Sequence, residues 1–132
     1  MPGFFITVLL MKFQKALRHF ILIAATILVS QLAMAHASLT GAVPAPGATL
    51  DIAPKDIDLT FNEKVEAAFS AIKVKDRDGK GVATAKAQMA SPDGMTLRLE
   101  VPALPPGSYS VEWAAVGHDG HRRTGDFKFS VK

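Results

Sequence analysis

The stretch TLRLEVPALPPGSYSVEWAAVGHDGHRRTGDFKFSV, residues 96–131, decides the fold. Apolar and polar residues alternate within it, and this period of two is typical of β-strands with one buried face. Proline and glycine interrupt the alternation, and they favour turns because proline fixes its own φ angle and glycine accepts positive φ. The alternation predicts three strands, at 96–101, 108–115 and 124–131.

The residues before this stretch repeat the same pattern. Four more short β-rich runs, separated by turn signals, lie at 37–43, 56–61, 69–75 and 82–88. Seven short strands with regular turns predict an all-β fold, a seven-stranded Greek-key, immunoglobulin-like β-sandwich or barrel. Its inner faces are expected to bury Leu59, Phe61, Ile72, Val74, Leu97, Leu99, Trp113, Phe127 and Phe129.

The N-terminal 35 residues have the pattern of a secretory signal peptide. Lys12, Lys15 and Arg18 precede an apolar stretch from 20 to 35 that ends Ala33-Met34-Ala35, a small-x-small cleavage motif. The apolar run of about 14 residues is shorter than the roughly 20 that span a bilayer. We therefore expect cleavage before His36, export to the periplasm, and a mature domain of residues 36–132. Whether translation starts at Met1 or at Met11 stays open.

The composition of residues 36–132 excludes several function classes. This part has 12 basic and 12 acidic residues, so its formal net charge is zero. It lacks the excess of basic residues that is typical of nucleic-acid-binding proteins. The chain contains no cysteine, which excludes thiolate metal sites and thiol catalysis.

The three histidines of the mature part are predicted to lie near one end of the sandwich. If consecutive strands alternate in direction, the start of the first strand, the end of the second and the end of the sixth share that end. His36, Glu63, His118, Asp119 and His121 are then neighbours, although more than 80 residues separate the first from the last.

The donor atoms of this group favour copper(II). An N-terminal His36 offers its α-amine and imidazole Nδ1 together, and Asp119 and His121 add an oxygen and a third nitrogen, a set suited to tetragonal copper(II). Asp119 and His121 project to one side of the chain and His118 to the other, while Gly120 lets the backbone bend. A simpler interpretation also stands, in which His36 merely follows a cleavage site and Asp119-Gly120 is an ordinary turn.

Several motifs together resemble the CopC family of periplasmic copper-binding, copper-resistance proteins. They are His36-Ala37-Ser38-Leu39, Pro44-Ala45-Pro46-Gly47, Leu59-Thr60-Phe61-Asn62-Glu63, Trp113-Ala114-Ala115-Val116, Asp119-Gly120-His121 and the run from Gly125 to Val131. The resemblance implies that His36, Asp119 and His121 bind one Cu(II) ion, with Glu63 beside the metal as an outer or weak axial group.

The resemblance also implies a copper(II) carrier or sequestering protein with an inner-membrane importer of the CopD type as receiving partner. We expect the mature domain to be a monomer. Some family members carry a methionine-rich copper(I) site in a loop that here spans residues 76–81 and contains no methionine. Met89 and Met95 are expected near the end of the molecule opposite to this loop, where they cannot supply it with thioether ligands. We therefore expect a single copper(II) site and no copper(I) site.

Two other function classes remain open from the sequence. The α-amine and imidazole of a terminal histidine also form the histidine brace of copper oxygenases, although the anionic Asp119 would resist cycling to copper(I). The other alternative is a β-sandwich module that binds a protein partner and no metal. The leading interpretation is a protein that binds copper(II) and is not an enzyme.

Overall fold

The computed structural model describes residues 3, 5–15, 36–83 and 85–132. Residues 5–15 form a helix, and in this described part of the chain no helix is long and apolar enough to cross a membrane. Most of the predicted signal peptide, including Arg18 and the apolar stretch from 20 to 35, lies outside the described residues. The chain divides into two units, Met1–Ala35 and His36–Lys132.

The second unit consists of two four-stranded sheets. Its strands are β1 (Leu39–Val43), β2 (Thr49–Leu50), β3 (Asp56–Phe61), β4 (Ala71–Lys75), β5 (Gln88–Met89), β6 (Thr96–Glu100), β7 (Gly107–Val116) and β8 (Arg122–Val131), with a 3-10 helix at Ala67–Phe69. The first sheet has the order β1-β3-β6-β5 and the second the order β2-β8-β7-β4. Neighbouring strands are antiparallel except β2 and β8, which pair in parallel. The predicted all-β sandwich is confirmed.

The core forms because alternate residues of each strand face the other sheet. In β3 every second residue is buried, so that Ile57, Leu59 and Phe61 point inwards. Each fully buried side chain of this kind stabilises the fold by about 1.5–3 kcal/mol. All the residues of the main apolar cluster lie between Ala37 and Val131, so the His36–Lys132 unit contains its own core.

Trp113 differs from the other predicted core residues because it is only partly buried. Its indole packs edge-on against Phe61, with 5.4 Å between ring centroids, and it covers Gly125, its partner in β8. The indole therefore closes the end of the core that lies nearest the turn between β7 and β8.

The predicted strand at 82–88 is wrong, and the described part of residues 36–132 has eight strands rather than seven. Only Gln88 and Met89 of this region pair with β6, and Gly81 makes a single bridge to Lys75. The alternating residues here are mostly alanines, which bury too little apolar area to hold a strand against the core. The two-residue strand β2 was not predicted, because two residues show no period.

The turn between β7 and β8 is held by its own backbone. Gly117 N–H donates to the His121 carbonyl at 3.0 Å, and Gly120 N–H donates to the Gly117 carbonyl at 2.9 Å. Gly120 has a φ of 82°, a conformation that a side chain disfavours. The turn thus presents the residues between these glycines at the same end of the sandwich as the start of β1.

Candidate metal centre

Three residues that are distant in sequence meet at this end of the sandwich. His36 lies just before β1, and Asp119 and His121 come from the turn between β7 and β8. Each of the three offers a ligand atom, and these atoms all lie within 4.8 Å of one another. The imidazoles of His36 and His121 are in edge-on contact, with 5.0 Å between ring centroids. The structure therefore brings together three of the five residues that were predicted to lie at this end, namely His36, Asp119 and His121.

Asp119 orients His121 through two hydrogen bonds. The backbone N–H of His121 donates to Oδ1 of Asp119 at 3.0 Å, and its ring Nδ1 lies 2.8 Å from Oδ2. A carboxylate in this position holds the proton on Nδ1 and leaves Nε2 as the free metal-binding nitrogen. The same hydrogen bonds from His121 hold the pKa of Asp119 below its ordinary value, first through the backbone N–H and then through the ring.

Two buried polar atoms beside this group lack a hydrogen-bond partner. They are Nδ1 of His36 and Oε1 of Glu63, the two such side-chain atoms found in the described part of the chain. A buried donor or acceptor without a partner costs about 1–3 kcal/mol, and a metal ion bound by Nδ1 would remove that cost at His36. The residues present therefore fit a metal ion with nitrogen and carboxylate ligands.

Glu63 lies against the backbone of the turn. It follows the end of β3, and its Oε1 occupies space that a Cβ at Gly117 would need. A Cβ built there would also lie 3.0 Å from Oδ1 of Asp119. Glu63 thus reaches the region of Asp119, where it was predicted to lie, and its role beside a metal stays a prediction.

His118 lies outside the group of ligand atoms formed by His36, Asp119 and His121. Its side chain is 82% exposed, and its Nδ1 lies 3.2 Å from Oε1 of Glu66. The sequence predicts that His118 projects to the other side of the chain from Asp119 and His121, and it gives no sign of Glu66 as a partner. Glu66 lies in the irregular segment after β3, which carries no periodic signal that could have placed it.

The two methionines of the second unit lie away from the loop at 76–81. The carbonyl of Met95 accepts a hydrogen bond from Phe61 N–H at 2.9 Å, at the end of β3 that leads to Glu63. Met89 pairs with Leu97 in the neighbouring strand. Their positions agree with the expectation that they lie far from this loop, which follows the opposite end of β4.

Comparisons with known proteins agree on one family. Residues 39–132 match the family model of the CopC domain. Protein YobA of Escherichia coli (strain K12) is 37% identical over 119 residues, which cover 89% of this chain and 96% of YobA. Copper resistance protein C of Escherichia coli is 37% identical over 108 residues, or 76% of this chain and 84% of that protein. The crystal structure of CopC from Methylosinus trichosporium OB3b has a TM-score of 0.70 and 33% identity, and the match covers 74% of this chain and 94% of that one.

Proposed function

The chain belongs to the CopC family, and from this premise we propose that it is a periplasmic copper(II)-binding protein. The proposed ligands are His36, Asp119 and His121, which hold one ion per chain. The observation that carries the proposal is the approach of their ligand atoms to within 4.8 Å of one another. The names of relatives such as copper resistance protein C support copper as the metal.

The α-amine of His36 completes the proposed site. Removal of residues 1–35 as a signal peptide would free this nitrogen, and amine and imidazole Nδ1 of one residue then close a chelate ring on the ion. The buried, unpartnered Nδ1 of His36 supports this role. Three nitrogens and one carboxylate form a donor set that suits the tetragonal geometry of copper(II).

Asp119 gives the proposed site a preference for the oxidised ion. Its carboxylate is a hard, anionic ligand, whereas copper(I) prefers soft sulfur ligands. A site that resists reduction suits carriage or sequestration of copper(II) better than oxygen chemistry. We therefore propose a monomeric, non-enzymatic protein for copper sequestration or resistance, which passes its ion to an inner-membrane importer of the CopD type.

The test is a copper(II) titration of two purified forms, one beginning at His36 and one with an extra residue in front of it. Calorimetry would give stoichiometry and affinity, and electron paramagnetic resonance would report the ligand atoms. We expect tight one-to-one binding with nitrogen-rich tetragonal parameters in the first form and weaker binding in the second.

Three outcomes would contradict the proposal. Equal binding by both forms would remove the α-amine from the site, and absent binding would favour an interaction module that holds no metal. Oxygen uptake by the copper-loaded form in the presence of ascorbate and a polysaccharide would favour a histidine-brace oxygenase.

A further inference from the structure

A second carboxylate–histidine pair lies on the same turn, outside the proposed site. His118 and Glu66 approach to 3.2 Å between Nδ1 and Oε1. Backbone hydrogen bonds fix both residues: His118 N–H donates to the Lys64 carbonyl at 3.1 Å, and Glu66 N–H donates to the Val116 carbonyl at 2.8 Å. The contact is therefore set by the pairing of two chain segments and not by two free side chains alone.

This pair repeats the arrangement of Asp119 and His121. In both, a carboxylate oxygen lies at hydrogen-bond distance from Nδ1 of an imidazole. A carboxylate that accepts the Nδ1 proton fixes the tautomer and leaves Nε2 free to bind a metal, as metal-binding histidines commonly show. The ring of His118 is 82% exposed, so its Nε2 is accessible to an ion from solution.

From this geometry we propose that His118, oriented by Glu66, is a second and weaker copper(II) docking group at the rim of the proposed site. The inference rests on the proposed function, since it assigns this group to loading and unloading of the same ion. A single exposed imidazole leaves the other coordination positions of the ion to water or to an outside ligand. Copper held in this way exchanges quickly and can remain attached to a donor or acceptor molecule.

The position of His118 suits such a transfer. It is the neighbour of Asp119, and consecutive Cα atoms lie about 3.8 Å apart. The His118 ring contacts Glu66 and lies outside the group of ligand atoms formed by His36, Asp119 and His121. An outside molecule can therefore hold an ion at His118 without occupying that group. The docking group therefore lies beside the proposed site and does not block it.

The first experiment measures binding of a second copper(II) equivalent to the His36–Lys132 form, which contains its own core. After one equivalent is bound, wild type should bind another weakly, with a separate paramagnetic signal from one nitrogen ligand. His118→Gln should abolish this second event and leave the first unchanged. Glu66→Gln should weaken it by about tenfold or more, the usual effect of losing a partner of a metal-binding histidine. Glu112→Gln, at a partly exposed glutamate on β7 that pairs with Lys75, is the matched control and should leave both binding events unchanged.

A further variant, His121→Gln, separates this inference from the proposed function. His121→Gln should lose the tight binding event and keep the weak one, because the two events use different residues. Absence of tight binding in wild type would therefore contradict the proposed function and leave the docking group untouched. A second event that persists in His118→Gln would overturn the docking group, as would loss of the tight event in that variant.

Stopped-flow quenching of Trp113 then tests the transfer role: His118→Gln should take copper(II) from copper–glycine several-fold more slowly than wild type, and equal rates would overturn that role.

Discussion

At the scale of the residue, the negative charge of Asp119 decides between two roles. A charged Asp119 can bind copper(II) directly, whereas a hydrogen bond that only orients the His121 imidazole does not need the full charge. Asp119→Asn keeps an oxygen that can accept the His121 backbone N–H but removes the negative charge. We expect copper(II) affinity to fall by about tenfold to a hundredfold, because loss of even a residue that only hydrogen-bonds to a metal ligand lowers metal affinity by this factor. Competition with a chelator of known affinity measures the change. Asp126→Asn, at an exposed carboxylate on β8, is the control, and equal losses in both variants would contradict a ligand role for Asp119.

The pH dependence of binding also belongs to individual residues. Hydrogen bonds from His121 lower the pKa of Asp119, so this carboxylate stays charged as the pH falls from about 8 to about 5. The α-amine and the imidazole nitrogens, by contrast, bind metal only after losing their protons. Copper(II) affinity should therefore fall steadily with acidification over this range. Chelator competition at a series of pH values checks it, and a constant affinity would mean that carboxylates alone hold the ion.

At the scale of the element, the pairing of β7 with β8 depends on a glycine beneath the only tryptophan. A Cβ at Gly125 would lie 2.5 Å from Cζ2 of Trp113 and 2.7 Å from Cε2, and both atoms belong to a rigid ring packed on Phe61. Gly125→Ala should lower the free energy of unfolding by about 1–3 kcal/mol, the usual cost of overpacking. Urea unfolding followed by circular dichroism measures it. At Gly81 a Cβ would meet nothing within 4 Å, so Gly81→Ala should cost far less, and similar losses would show that Trp113 can move aside.

The elements also show how far sequence alone could lead. The strands β3, β6, β7 and β8 were predictable because their apolar residues alternate over five or more positions. The short strand β2 was not, since its place depends on parallel pairing with Ser130 and Val131 at the far end of the chain. The group of His36, Asp119 and His121 followed from strand directions and turn chemistry. The position of Glu66 beside His118 could not be predicted. Backbone hydrogen bonds between distant segments bring the two residues together, and no local sequence pattern indicates this.

At the scale of the whole molecule, the proposed copper site joins the start of the first sheet to a turn of the second. His36 precedes β1, whereas Asp119 and His121 lie between β7 and β8, so a shared ion links the two sheets at one end. A ligand that binds only the folded state stabilises it by about 2.7 kcal/mol at a hundred times its dissociation constant. For a domain of this size that corresponds to a rise in Tm on the order of 10 °C.

This rise in Tm tests the geometry independently of spectroscopy. The form that begins at His36 should show the full increase with copper(II), and the form with an extra residue in front should show a smaller one because its α-amine is no longer on His36. Magnesium, which prefers oxygen ligands, should leave the Tm of both forms unchanged. If copper(II) binds tightly to the first form but its Tm stays constant, the ion does not hold the two sheets together. The ligands would then come from one segment of the chain, because only a site shared between distant segments makes unfolding require release of the metal.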